Sequence, residues 1–229
     1  MSKVILVRHT EVAIRFKSRC YGRTDVGLSR TGRRLARELA GRLAREPVAA
    51  VVCSSSRRAR YLADRIAALT GLTPRVDERW CERDFGTWEG RTWNAIWRDT
   101  GNAMDGMLTR PHRFRPGGGE TTAALAARAL RAFRALPRSG LIVVVTHSGP
   151  IAAVRASFAG ARPAELWKFC VAPGSALRLR RKIAKKQPVT GTGKRGRAAL
   201  AGALSRAGRG VDSGTASPAG HAVLRPHKP

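Results

Sequence analysis

Acidic residues are scarce in this 229-residue chain: 15 Asp and Glu stand against 44 Lys and Arg, a formal net charge of +29. A surplus of that size draws anionic ligands through its field. Cysteine is sparse too. Cys20, Cys53, Cys81 and Cys170 are widely spaced and form no C-x-x-C pair, which rules against a zinc ribbon and a disulfide scaffold. Long apolar runs are missing: Leu141 to Val145, among the richest, stops far short of the ~18 residues a membrane helix needs. The start, Met1 to Val7, lacks the longer apolar region and small-residue cleavage site of a signal peptide. These absences lead to the expectation of a soluble cytoplasmic protein with no membrane contact. Hydrophobic residues, at 43%, are enough to bury a core, and the length suits one ordinary domain with an appendage.

Residues 181–229 lack Phe, Trp and Tyr altogether and hold eleven Lys and Arg against one acid, Asp212. Glycines interrupt them from Gly191 to Gly220. Such a stretch buries too little apolar surface to offset its ordering entropy, so it reads as a disordered basic tail behind a domain of residues 1–180. A helix over 197–206 would be marginal on its own. The tail suits a nucleic-acid arm through counterion release, but basic charge alone is non-specific, and a solvated extension without a role is the favoured reading.

Within 1–180, Val4-Ile5-Leu6-Val7, Val48 to Cys53 and Leu141 to Thr146 are continuous apolar runs, as strands buried on both faces are. Ala176 to Arg180 alternates, as an edge or one-face strand does. Helical stripes lie between them. One joins Leu35, Leu39 and Leu43 after an N-cap at Ser29 or Thr31; another joins Ala59, Leu62, Ala63, Ile66 and Leu69 and ends before Gly71. A third joins Leu125, Ala129, Phe133 and Leu136 and ends at Pro137. The alternation predicts an α/β protein: three layers, with a mostly parallel sheet flanked by helices.

Chemistry in such sheets gathers beyond the carboxyl ends of the strands. The residues there are Arg8-His9, then Cys53-Ser54-Ser55 leading to Arg58, then His147-Ser148-Gly149. An imidazole with one bare nitrogen can attack phosphorus, and arginine forks can hold the equatorial oxygens of a phosphoryl group in flight. A carboxylic acid can then protonate the leaving alkoxide. Glu82, Asp84 and Glu89 compete for that role, and Glu89 alternatively braces a nearby helix. Ser54 and Ser55 sit in no G-x-S-x-G turn, so roles in shaping the backbone turn are favoured over nucleophilic ones. Gly117-Gly118-Gly119 lacks the Lys-Ser/Thr of a P-loop and reads as a mobile loop leading to a helix at Glu120. Trp80, Trp88, Trp93 and Trp97 could stack on an aromatic ligand or pack a core and lid.

Leu6-Val7-Arg8-His9-Thr10-Glu11 resembles the N-terminal signature of the histidine phosphatase superfamily, whose fold is phosphoglycerate mutase-like. Support follows in order: Cys53-Ser54-Ser55-Ser56-Arg57-Arg58-Ala59, then Glu82 to Gly90 with its Gly-x-Trp-Glu-Gly. Pro116 to Glu120 with Arg128, and Val145-Thr146-His147-Ser148-Gly149-Pro150, complete it over residues 3–180. The resemblance implies that His9 is the nucleophile, that Arg8, Arg58 and His147 hold the phosphoryl oxygens, and that Glu82 protonates the leaving group and then activates water. It implies no metal and no organic cofactor. Ser148, Tyr21 and Gly22 are further candidates for contact with a small phosphorylated substrate. Where the family often has Thr and Asn after the first histidine, this chain has Val12 and Arg15, and Tyr21 replaces a polar residue before Gly22. Cys20-Tyr21-Gly22-Arg23-Thr24-Asp25 is similar to the branch acting on α-ribazole 5′-phosphate in cobalamin nucleotide-loop assembly. Sugar phosphatases and phosphoglycerate mutases share the same motifs. The alternative from another class is a catalytically idle, basic nucleic-acid-binding protein. Oligomeric state is not legible.

Overall fold

The computed structural model describes residues 2–181. Of the expected basic tail 181–229, Arg181 instead ends the last strand of the sheet, and the rest, with the helix considered for 197–206, lies outside the described residues. Five strands form one sheet: β1 (Ser2–Arg8), β2 (Val48–Cys53), β3 (Arg75–Val76), β4 (Leu141–Thr146) and β5 (Ala176–Arg181). Their order is β3-β2-β4-β1-β5. All neighbours are parallel except β5, which runs antiparallel along β1. The mixed sheet lies between two helical layers, the phosphoglycerate mutase-like arrangement expected of the sequence.

Side-chain alternation along the strands assigns the two cores. Ile5 and Val7 of β1, Val51 and Cys53 of β2, and Val143 and Val145 of β4 face α1 (Arg30–Ala44) and α2 (Arg57–Thr70). Val4, Leu6, Val52, Ile142 and Val144 point the other way and pack with Trp80 against two later helices, α5 (Thr122–Arg134) and α6 (Ser148–Phe158). Between α2 and α5, α3 (Trp93–Thr100) and α4 (Gly106–Thr109) belong to a small lobe in which Cys20, Trp88 and Ile96 are buried with Phe85, Trp93 and Phe114 against them. Three of the four clustered tryptophans are therefore packing residues. Trp97 is exposed.

Ser29, not Thr31, caps α1 by accepting from the Gly32 amide, and Gly71 ends α2 in a left-handed conformation that glycine adopts without strain. The stripe on α1 is displaced from the expected one: Ala36, Leu39, Ala40 and Leu43 are buried, while Leu35 is exposed. Leu69 of α2 is exposed likewise. α6 was hidden in the sequence because it is buried nearly all round, so no amphipathic stripe marks it. Pro150 is tolerated there because the first turn has no intrahelical amide bond to lose. β3 is two exposed residues without a pattern.

The Gly117-rich segment differs from the mobile loop expected. A Cβ at Gly117 would lie 2.2 Å from the Phe85 carbonyl oxygen, so two backbones cross there in close contact. The helix after it starts at Thr122, with Thr121 as its cap.

Candidate active site

Because β2, β4 and β1 are adjacent, their carboxyl ends bring three sequence-distant segments to one sheet edge. His9 follows β1, Ser54 follows β2, and His147 follows β4 as the N-cap of α6; Arg58 lies in the first turn of α2. The His9 and His147 rings approach edge to face, with centroids 5.1 Å apart. His9, His147 and Arg58 are all buried.

The His9 ring is held by its own neighbour's backbone. Nδ1 lies 2.7 Å from the Thr10 carbonyl, an acceptor only, so Nδ1 carries the proton and Nε2 is the bare nitrogen. Burial, then the charge of Arg58 and less so that of Arg8, pushes its pKa down to about 3, although the Thr10 bond opposes the shift. The ring is a neutral base at any working pH. His147 is lowered well below the ordinary imidazole range by the same causes, burial first and Arg58 next. Its Nε2 lies 2.7 Å from Ser54 Oγ and 3.3 Å from Ser56 Oγ.

Both arginines are anchored on backbone carbonyls. Arg58 donates from Nη1 to Thr24 (2.8 Å) and from Nη2 to Gly22 (2.6 Å), with the Tyr21 ring 5.1 Å from its guanidinium carbon. Arg8 donates from Nη1 to the Val171 carbonyl. Residues 171–175 strap the end of β1: Gly174 N donates to the carbonyls of Arg8 and His9, and Arg8 N donates to the Ser175 carbonyl. Ser148 joins this strap, its hydroxyl 3.3 Å from the Val171 amide. Tyr21, Gly22 and Ser148 thus reach the site by supporting Arg58 and Arg8.

Among the described residues, five buried side-chain nitrogens or oxygens find no hydrogen-bond partner, and three of them are Arg8 Nε, Arg58 Nε and His147 Nδ1. Buried polar groups left unpaired are costly, and their concentration at one place fits a site made for an anion with several acceptor oxygens.

Glu82 lies at the start of α6. Its Oε1 accepts from Arg83 N (2.9 Å) and Gly149 N (3.2 Å). A Cβ at Gly149 would stand 2.3 Å from Oε1, so any larger residue there has to push the carboxylate aside. A cavity of about 240 Å³ is lined by Glu82, Arg58, His147, Ser55, Ser56, Cys81, Arg23 and Asp25. Asp84 and Glu89, the competing acids, are engaged elsewhere. Asp84 accepts from Gly86 N, whereas Glu89 accepts from the amides of Arg23, Thr24 and Phe85 and from the Thr24 hydroxyl.

Sequence reasoning missed three supporting groups. Glu89 braces the loop whose carbonyls hold Arg58, a role that only the fold reveals. Glu120 pairs with Arg128 through two bonds of 2.9 and 2.7 Å, while Arg128 also donates to the carbonyls of Arg79 and Cys81, fixing the segment that leads into Glu82. Ser54 meets the ring of His147 rather than merely shaping a turn. Among the described residues no group of three or more His, Cys, Asp or Glu side chains gathers as a metal site, and no helix is long and apolar enough to cross a membrane.

The chain belongs to the histidine phosphatase superfamily (branch 1), whose sequence pattern matches residues 4–212. It is a phosphoric monoester hydrolase by class. Phosphoserine phosphatase 1 of Hydrogenobacter thermophilus is 29% identical over 172 residues, 74% of this chain and 82% of that one. Glucosyl-3-phosphoglycerate phosphatase of Mycobacterium tuberculosis is 31% identical over 167 residues, 68% of this chain and 74% of its own. Among solved structures, Bacillus stearothermophilus YhfR superposes with a TM-score of 0.73 at 27% identity, covering 80% of this chain and 92% of that one. The α-ribazole phosphatase of Shigella flexneri shares the fold at 22% identity and a TM-score of 0.70, covering 79% and 91%.

Proposed function

We propose that the protein is a metal-independent phosphomonoesterase acting through a phosphohistidine on His9. The observation that carries this is the bare Nε2 of His9 beside three buried, unpartnered nitrogens of Arg8, Arg58 and His147. His9 Nε2 attacks phosphorus, forming the N–P bond as the ester P–O bond breaks. The two arginines and His147 hold the non-bridging oxygens through the transition state. Glu82 gives its proton to the departing alkoxide. A water then attacks phospho-His9, its proton passing to Glu82, and phosphate leaves with His9 restored.

The substrate is a small organic phosphate whose leaving group lies in the cavity beside Glu82. α-Ribazole 5′-phosphate is the specific candidate, supported by the run Cys20 to Asp25. Phosphoserine and glucosyl-3-phosphoglycerate, named for the relatives at 29% and 31% identity, are its rivals.

The test is hydrolysis of an aryl phosphate in EDTA by wild type and His9→Ala. Turnover that survives EDTA and disappears in the folded variant supports the reading; equal rates in both proteins, or none in wild type, refute it. A panel of the three named substrates then decides specificity by kcat/KM. A large preference for phosphoserine or glucosyl-3-phosphoglycerate would remove α-ribazole 5′-phosphate.

A further inference from the structure

The site contains two buried imidazoles that have to do opposite things. His9 must present a bare nitrogen, while His147 must offer a proton to a phosphoryl oxygen. For His9 the Thr10 carbonyl settles the tautomer, because a carbonyl can only accept. For His147 the neighbours are hydroxyls, which can do either.

The two ring nitrogens of His147 have different neighbours. His147 Nε2 lies within reach of Ser54 Oγ at 2.7 Å and Ser56 Oγ at 3.3 Å, and the two hydroxyls are 3.1 Å apart. Nδ1 is buried and touches no protein acceptor or donor. Nε2 is thus occupied by the serines, and Nδ1 is the atom left for a ligand. A bare Nδ1 would turn a lone pair toward an anion, which is repulsive. Nδ1–H donates to it.

We propose that Ser54, backed by Ser56, is a positioning residue that donates its hydroxyl proton to His147 Nε2 and so fixes the ring as its Nδ1–H tautomer, ready to hold a phosphoryl oxygen. The chain of donation runs from Ser56 Oγ to Ser54 Oγ to Nε2. Ser54 is buried, whereas Ser56 is partly exposed, so the relay ends at solvent. Burial and Arg58 keep the ring neutral, which is why the choice of tautomer matters at all. The assignment rests on the phosphatase reading for its purpose, but its test does not.

That test uses the full chain labelled with 15N-histidine and long-range 1H–15N correlation, which separates Nδ1–H from Nε2–H rings. His147 is assigned by the signal lost in His147→Gln. Wild type is expected to show the Nδ1–H form and Ser54→Ala a mixture or the Nε2–H form, with Ser54→Thr keeping the wild-type pattern. Aryl phosphate kcat/KM should fall about 10–100-fold in Ser54→Ala and recover most of that in Ser54→Thr, as expected when a catalytic imidazole loses its orienting partner. An Nε2–H ring in wild type overturns the inference, even if no variant folds. So does an unchanged tautomer in Ser54→Ala, which would make the hydroxyl merely structural. A wild-type Nδ1–H ring in a protein without phosphatase activity would refute the proposed function and leave this assignment standing.

Discussion

Glu89→Gln is the sharpest probe of how the site is held. The Glu89 carboxylate accepts four bonds: Oε1 from the amides of Arg23 (2.8 Å) and Phe85 (3.1 Å), Oε2 from the amide (2.7 Å) and hydroxyl (2.5 Å) of Thr24. Glutamine keeps the shape but replaces one oxygen by an NH2 that faces donors. Two bonds are lost, and donors are set against donors. Bonds to a charged group are worth about 1.5–3 kcal/mol each, and half-burial of Glu89 discounts them, so the variant should lose about 2–3 kcal/mol of stability. The catalytic effect follows from the next link. The carbonyls of Gly22 and Thr24 are the anchors of the Arg58 fork, and a displacement of about 1 Å in such a group costs about 100-fold in rate. Urea unfolding and kcat/KM on an aryl phosphate, measured on the same preparation, read both quantities. Stability lowered with kcat/KM unchanged would refute the reasoning, because the loop would then brace the fold without positioning Arg58.

Three further outcomes are expected. Gly149→Ala sets a methyl group 2.3 Å from Glu82 Oε1, so hydrolysis of an alkyl phosphate should fall about tenfold more than that of an aryl phosphate, whose leaving group needs little protonation; equal losses would remove Glu82 as the acid. Glu120→Ala leaves Arg128 as a buried charge without its partner and should cost about 3–5 kcal/mol in denaturant unfolding, with a loss under about 1 kcal/mol contradicting the buried-pair account. Stability should also fall with acid. His9 stays neutral in the fold down to about pH 3 and His147 is lowered as well, while the unfolded chain takes up protons on both near 6.5. The unfolded state therefore binds more protons as pH drops below 6.5, and from 6.5 to 5 the two rings together should remove about 3 kcal/mol. A urea midpoint flat over that window would show that the rings are charged in the folded protein.

That His9, Arg8, Arg58 and His147 come together was legible because each sits just past a continuous apolar run or a serine-rich turn, a pattern that survives in one dimension. The faces of the sheet were legible for the same reason, since β1 and β4 carry uninterrupted apolar residues. Strand order was not, because nothing local in β4 specifies that it inserts between β2 and β1. α6 escaped because a helix buried all round has no stripe. Glu89 and Ser54 escaped for a different reason: their partners lie 65 and 93 positions away, and a lone acid or hydroxyl carries no periodic signal. Arg58 was singled out among 36 arginines by its place after the turn alone; its burial and its two carbonyl anchors are facts of the fold.

The strap of residues 171–175 makes one end of the domain's sequence complete the backbone at the other. His9 follows β1, near one end of the described residues, yet the carbonyls of Arg8 and His9 are tied by Gly174, and the Arg8 fork is fixed by Val171. β5, which pairs with β1 along its length, is later still. A chain cut short before Val171 would keep the residues of β1, β2 and β4 but leave the carbonyls of Arg8 and His9 without their Gly174 bonds.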